Sequence, residues 1–270
     1  MRCDKYMGPP LTPIEEHDGI WLKRDDLYRA PGTDAPGGKA RTCYALALEA
    51  RKAGARGLVT AGSRSSPQVN IVAQIGKALG MPVRVHTPQG EPGPEVIAAI
   101  EAGAERIAHR AGYNSVIVNR AATDAHQLGW ANIPFGMECE EAVKQTAGSF
   151  ENVSPLFYQG HIKRLVVPVG SGMSLCGIIE GMNTGFELIN TLPVLGVVVG
   201  ADPTRRLDKF SPLWRFAEKL ELVPAGVDYH TKVDASVGGV KLDPVYEAKC
   251  AKFLEKGDLL WIVGIRQTAL

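Results

Sequence analysis

The feature that most constrains this chain is a rhythm. Short apolar strands, each followed by an amphipathic stretch of helical spacing, recur along most of its 270 residues. GLVTAGS (57–63), PVRVHTP (82–88) and RIAHRAG (106–112) read as strands, with TCYALALEARKAG (42–54), VNIVAQIGKALG (69–80) and EVIAAIEAGA (95–104) as helices between or beside them. SVIVNRAATDAHQLG (115–129) continues the series, and RLVVPVG (164–170), PVLGVVVGADP (193–203) and DLLWIVGIR (258–266) restart it. Strands of about five or six residues alternating with helices of about 10–15 are the signature of βαβ units and parallel sheets. The last three strands are almost wholly apolar, as strands covered on both faces must be. The prediction is an α/β chain with two open, twisted, mostly parallel sheets, each with helices on both faces. Residues 1–43 with 153–270 would form the larger domain and 44–152 the smaller one. IPFGMECEEAVKQTAGSFENVSP (133–155) is read as the crossing between them.

Composition excludes several classes. With 45% apolar and 22% charged residues the chain is globular, and a net charge of +1 gives no global field to draw it onto nucleic acid or an anionic membrane. Five cysteines, odd in number and without a C-x-x-C pair, make neither a disulfide framework nor a zinc ribbon. MRCDKYMGPPLTPIEEHDG lacks the apolar core of about 7–15 residues that a signal peptide carries, and no apolar run reaches the ~18 residues of a membrane span. A cytoplasmic protein in a reducing compartment, without a membrane partner, is expected.

Three stretches bear chemistry. In LVVPVGSGMSLCGIIEGM a buried strand runs through Gly170, Ser171 and Gly172 into a helix, so that backbone N–H groups converge at the turn. Such a turn binds an anion, commonly phosphate; it also serves as a plain tight connection. Neither the P-loop spacing nor G-x-G-x-x-G is met, since Leu175 stands where the third glycine would be. In VTAGSRSSPQVNIVAQIGKALG a strand ends in Ser63, Ser65 and Ser66 before a helix opened by Pro67 and Gln68. Open α/β sheets bind ligands at the carboxyl ends of their strands, and a carboxylate suits hydroxyls at a helix N-terminus. A serine N-cap followed by proline accounts for Ser66-Pro67 without a ligand. The third stretch is APGGKARTCYAL, where Lys39 follows Gly37-Gly38 as helical spacing begins. A lysine close to a phosphate site and partly desolvated can lose its proton and form a Schiff base with an aldehyde. A phosphate nest, a carboxylate nest and one lysine are the parts needed to hold pyridoxal 5′-phosphate and an amino acid.

The same residues resemble a known family, the fold-type II pyridoxal-phosphate enzymes of the tryptophan synthase β-like superfamily, in the branch of D-cysteine desulfhydrase and 1-aminocyclopropane-1-carboxylate deaminase. WLKRDDLYRAPGTDAPGGKART is similar to its K-R-D-D-L…G-G-N-K-x-R segment, and SRSSPQVNIVAQIGKALGM to its Q-S-N-x-x-R…L-G-M segment. PVGSGMSLCGI resembles the phosphate loop G-[ST]-G-G-T-x-x-G, and VKLDPVYEAKCAKFLEKGDLLWIVG the late D-P-V-Y-x-x-K segment. The resemblance implies the cofactor in a cleft between two domains, Lys39 as the Schiff-base lysine, and Gly170, Ser171, Gly172, Met173 and Ser174 around the phosphate. It implies Ser66 at the substrate and a homodimer; the residues themselves add Ser65, Gln68 and Tyr229 at the substrate, Ser66 and Tyr246 beside Lys39 as catalytic groups, and no metal. Its activity would be elimination or deamination at the α-carbon of an amino acid. Departures stand beside these matches. Pro67 falls where the family has asparagine, Gly238 where the deaminase has the glutamate that pairs with the pyridine nitrogen, and Val263-Gly264-Ile265-Arg266 replaces H-T-G-G.

Those losses open two other readings: decarboxylation of an amino acid attached to a larger group such as a modified nucleotide, and a degenerate member that binds ligand without catalysis. Tyr229 and Tyr246 fit either pocket acids and bases or packing. Arg205 and Arg206 in ADPTRRLDK fit an anionic substrate tail or a solvated loop. Asp25 and Asp26 read as a solvated or structural pairing with Lys23-Arg24, and His86, His109, His126, His161 and His230, without metal-ligand spacing, as surface or capped residues.

Overall fold

The structure, a computed structural model, describes residues 11–110, 114–183 and 188–264. The chain opens on a hairpin of β1 (Ile14–His17) and β2 (Ile20–Arg24), whose Asp18-Gly19 turn has positive φ at both residues. Then come α1 (Gly38–Lys52), β3 (Leu58–Ala61), α2 (Pro67–Leu79), β4 (Val83–Pro88), α3 (Pro94–Glu101), β5 (Glu105–His109), α4 (Asn114–Leu128) and β6 (Ala131–Ile133). The series resumes with α5 (Glu140–Ser149), α6 (Ser154–Tyr158), β7 (Arg164–Val169), α7 (Met173–Asn183), β8 (Val194–Val198), α8 (Thr204–Phe210) and β9 (Leu220–Pro224). It closes with the small hairpin β10 (Ser236–Val237) and β11 (Val240–Lys241), a 3₁₀ stretch Glu247–Phe253, and β12 (Asp258–Ile262). No helix among the described residues is long and apolar enough to cross a membrane.

Two compact units result. One holds residues 11–25 and 142–263, the other 26–141. The sequence reading divides the chain at 43/44 and 152/153; two helix packings draw the boundaries elsewhere. Helix α1 lies against α2. Helix α5, inside the stretch read as a crossing, lies against α7, so closely that a Cβ at Gly177 would stand 2.9 Å from the Val143 carbonyl oxygen and one at Gly181 2.7 Å from Phe150 Cβ.

The larger unit carries a six-stranded sheet in the order β1-β2-β12-β7-β8-β9, parallel apart from the β1–β2 hairpin. Strand β12 is buried at every position, and Trp261 stacks on Phe150 at 6.3 Å. Pro168 stands in β7 beyond the last pair with β12, Leu260↔Val166, where its missing N–H leaves no gap in that ladder. A buried polar knot ties the chain start to this sheet. Asp25 accepts from Thr12 Oγ1 (2.6 Å) and Trp261 Nε1 (3.1 Å), while Lys23 Nζ donates to the Thr12 carbonyl (3.0 Å) and Asn152 Oδ1 (2.8 Å). Asp25 and Asp26 are therefore interior groups and not a solvated pair.

The smaller unit has four parallel strands in the order β5-β4-β3-β6. Within it the structure corrects the reading of two histidines. His86 and His109 are stacked at 4.9 Å, with His86 Nδ1 2.8 Å from His109 Nε2. His86 Nε2 lies 3.1 Å from Asp124 Oδ2, and the Arg120 guanidinium 3.1 Å from His109 Nδ1. Arginine only donates and carboxylate only accepts, so the direction of the chain is fixed: Arg120 to His109, His109 to His86, His86 to Asp124. Both rings are thereby held neutral. Arg84, bonded to Asp124 and Glu105, completes the charges facing the cluster.

Burial is the main cause that lowers both histidine pKa values from 6.5. The unfolded chain takes up these protons near 6.5 while the native state resists, so stability falls as pH drops through about 6.5 toward the lowered native values. Each histidine adds a slope of at most ~1.4 kcal/mol per pH unit in that window. The expected result is a Tm that declines between about pH 7 and pH 5, with a shallower decline in a His86→Gln/His109→Gln variant; parallel slopes would refute the assignment.

Candidate functional site

In the smaller unit Lys39 is the second residue of α1 and is half-buried. The loop before it is closed by backbone bonds from Ala30 N–H to Ala35 O (3.3 Å) and from Gly37 N–H to Tyr28 O (3.2 Å). Gly37, at φ 86° and ψ 173°, turns the chain into the helix in a region a side chain would resist. The first turn of α1 contains no acid. A cation there opposes the helix dipole, so helix stability is not what places Lys39.

The serine loop follows β3 in the same unit. Gly62 N–H bonds to His86 O (3.0 Å) and Ser66 N–H to Ser63 O (3.2 Å), folding residues 62–66 into a turn. Ser66 is the N-cap of α2, yet its hydroxyl makes no capping bond. Ser65 is exposed and Ser66 half-buried. Gln68 is different: its amide donates to Thr60 Oγ1 (2.9 Å) and Pro134 O (2.8 Å) and accepts from Gly136 N–H (2.8 Å). That side chain fastens α2 to β3 and to the segment after β6, with its donors and its acceptor engaged.

In the larger unit β7 delivers the turn Gly170-Ser171-Gly172 to α7. Gly172 has φ +93°, and a Cβ on it would stand 3.0 Å from Pro203 Cβ. A Cβ at Gly170 would stand 2.7 Å from the Tyr246 ring. Among the described residues, no bond is made by the backbone N–H groups of Ser171, Gly172, Met173 or Ser174, nor by the hydroxyls of Ser171 and Ser174. Met173 turns its side chain into the core and can offer the site only its N–H. Bare backbone, unspent donors and a helix N-terminus together fit a phosphate group.

Tyr246 lies against this turn because of the residues that precede it. The buried Asp243 carboxylate accepts the N–H groups of Val245 (2.9 Å) and Tyr246 (3.1 Å), which sets the start of the 3₁₀ stretch. Tyr246 OH is 2.8 Å from Tyr229 OH, the two rings meeting edge to face. The next residue was not picked out by sequence reasoning: Glu247 is 1% exposed, and its Oε1 accepts Val263 N–H at 2.9 Å, at the end of β12. The available signal was a carboxylate directly after the motif tyrosine, in a stretch otherwise closing on Ala248 and Cys250. Gly238, the position aligned with the deaminase glutamate, is a turn residue of the β10–β11 hairpin with φ +54°, packed on His17. Arg266 and Ile265 lie outside the described residues. Arg205 is exposed and Arg206 half-buried on α8.

Burial pushes the thiols of Cys43, Cys176 and Cys250 up, Cys176 to about 12, so none of the three supplies a thiolate. Among the described residues no group of three or more His, Cys, Asp or Glu is arranged to hold a metal ion.

Residues 8–239 match the family described as pyridoxal-phosphate dependent enzyme. The chain belongs to that family. No curated protein sequence matches this pyridoxal-phosphate enzyme. Among solved structures it is similar to a homologue of ACC deaminase, with a TM-score of 0.75 at 21% identity over 95% of this chain and 90% of that one. Threonine deaminase isoform 2 from Solanum lycopersicum gives 0.64 at 16% identity, covering 95% and 84%. Diaminopropionate ammonia lyase from Escherichia coli, in complex with an aminoacrylate-PLP azomethine intermediate, gives 0.66 at 14% identity, covering 96% and 85%. Likeness at these identities establishes the fold. The anion nest of the larger unit, with no bond to its donors among the described residues, fits the phosphate of such a cofactor.

Replacing Gly172 with aspartate puts a Cβ at positive φ and a negative charge into that nest. Retention of pyridoxal phosphate through desalting is expected to fall at least about tenfold, the equivalent of ~1.4 kcal/mol, with the circular dichroism spectrum unchanged. Full retention would remove the turn from the phosphate site.

Proposed function

We propose that this enzyme catalyses a lyase- or deaminase-type elimination at the α-carbon of an amino acid. The observation that carries the reading is the set of unspent donors at residues 171–174, retained in a family defined by its cofactor. The names of the similar structures, an ACC deaminase homologue, a threonine deaminase and an ammonia lyase, point the same way.

Lys39 would hold the cofactor's aldehyde carbon, and the N–H groups of Ser171 to Ser174 with the two serine hydroxyls would hold its phosphate. Pyridoxal phosphate, when bound, withdraws electrons from the α-carbon and weakens the bond that is to break. The hydroxyls of Ser65 and Ser66, at the start of α2, take the substrate carboxylate; Gln68 supports that loop from behind. The Lys39 amine would move the proton at the substrate α-carbon. The Tyr246–Tyr229 hydroxyl pair delivers a proton to the departing group. Glu247, and not residue 238, would supply the carboxylate for the ring nitrogen. A homodimer in the cytoplasm belongs to the same reading.

The test begins with borohydride reduction of the protein loaded with pyridoxal phosphate, then peptide mass spectrometry. The added mass is expected on Lys39, and a modified lysine elsewhere would end the assignment. Both enantiomers of β-chloroalanine then probe the reaction, with release of 2-oxo acid and ammonia as the expected outcome. Ser66→Ala should raise the KM for the probe while leaving the absorbance of the bound cofactor intact. Glu247→Gln should change that absorbance and leave KM for the probe nearly as it was; an unaltered spectrum would show that Glu247 does not face the ring.

A further inference from the structure

The larger unit holds a buried lysine that the reaction as described does not use. Lys249 is 2% exposed and lies on the 3₁₀ stretch one turn after Tyr246. Its Nζ donates to two consecutive backbone carbonyls, Asp228 O at 2.8 Å and Tyr229 O at 2.9 Å, and stands 5.8 Å from the centre of the Tyr229 ring. The carbonyls belong to the irregular segment between β9 and β10, where Tyr229 is 39% exposed. At its start this segment is tied to the sheet by Ala225 N–H on Val198 O (2.9 Å). The bond inside it, Thr231 N–H to Asp228 O (3.1 Å), shapes it without fastening it to anything else. Near its end, Val233 N–H reaches Pro244 O (2.9 Å).

We infer that Lys249 is the positioning residue of the Tyr229–Tyr246 pair: it pins the backbone of Tyr229 so that an exposed tyrosine is held with its hydroxyl on that of Tyr246. The inference rests on the role proposed above for that pair. Two observations converge on it. Lys249 N–H bonds to Tyr246 O (3.1 Å), so lysine and tyrosine are fixed to each other on one rigid turn. The ammonium reaches from this turn to the residue that must meet Tyr246, and to its neighbour. Bonds from a charged donor in a buried place are the strong kind, and two carbonyls in a row define the direction of the peptide between them as well as its position. A solvated loop tyrosine would otherwise sample several rotamers, and a 2.8 Å contact between two hydroxyls would be one geometry among many.

The positioning role predicts a coupling that plain structural support does not. Lys249→Met, similar in length and without donors, is expected to speed hydrogen exchange of peptides covering residues 226–232 and to leave those covering 165–175 unchanged. With β-chloroalanine as probe, its kcat should fall about tenfold, part of the ~10²–10⁴ that a placed acid or base contributes, while KM and cofactor retention hold. Tyr229→Phe should cause a similar loss, and the double variant no further one, because each removes the same arrangement. Lys249→Arg, which keeps the charge and the donors, should restore most of the rate. Losses that multiply in the double variant, or unchanged exchange at 226–232 in Lys249→Met, would overturn the inference. A Tyr229→Phe variant with full kcat would overturn it too, since the pair would then have no role to position. If β-chloroalanine and other amino acids with a leaving group are not turned over at all, the proposed function fails, and hydrogen exchange alone decides whether Lys249 holds Tyr229.

Discussion

The chemistry of the larger unit depends on one constraint, the parallel register of β12, β7 and β8. Val169 pairs with Val198, and Val199 N–H continues the ladder onto Val169 O at 2.9 Å, so both strands end at one level. Their loops then touch, a Cβ at Gly200 having only 2.9 Å to the Gly170 carbonyl oxygen. Strand β12 ends beside them, where Val263 takes the Glu247 carboxylate and so brings the 3₁₀ stretch with Tyr246 onto Gly170. A slip of one residue in β7 would turn every side chain to the opposite face and carry the glycine turn away from its helix. Beyond their paired first residues Asp258 and Arg164, β12 and β7 are apolar and buried, which makes that slip prohibitive, since both faces are packed.

Buried polar groups add a second layer of specification. Asp25, Lys23, Asp243, Glu247 and Lys249 in the larger unit, and Gln68, Asn70, Glu95 and His86 in the smaller one, are all less than 5% exposed. Burying such groups brings little net stability, because desolvation offsets most of the attraction. They fix geometry, since each satisfied donor admits few alternatives. Asp243 sets the angle at which Tyr246 leaves its turn, and Gln68 spends its whole amide to hold the helix behind the serine loop. In the smaller unit the His86 backbone carbonyl steadies Gly62, the first residue of that loop, while its ring is locked into the chain that ends on Asp124.

How far the sequence was legible follows from the range of each signal. Periodicity is local, so the strands after 57, 82, 164, 193 and 258 and the helices α2 and α7 stand where the pattern put them. The glycine turn at 170–172 was legible for the same reason. What sequence could not show are relations made by pairing. His86 and His109 lie 23 residues apart and meet only because Pro88 pairs with His109, which makes the two histidines diagonal neighbours on one face of adjacent strands. Gln68 looked available because its partners, Thr60, Pro134 and Gly136, come from another strand and a distant turn. Glu247 looked like one acid among many until β12 folded against it. Helix α5 was hidden in a stretch whose Gly136 and Pro134 suggest a linker, although EEAVKQTAGS itself has helical composition.

The places where local rules fail carry their own argument. Other helix ends obey them: α2 ends on Gly80 in the left-handed conformation, and α3 opens with proline in its first turn. Helix α1 instead starts with a glycine, no acid and a lysine, against its own dipole. Helix α2 has a serine in the capping position that does not cap. Among the described residues, the run of N–H groups at the turn into α7 makes no bond, where a threonine or aspartate could have satisfied one. Each omission costs a fraction of a kcal/mol to about 2 kcal/mol in helix stability. At these three helix starts, each after a glycine- or serine-rich turn, the departures from local rules fall on the residues proposed above to meet the cofactor and substrate, which is where such departures are expected.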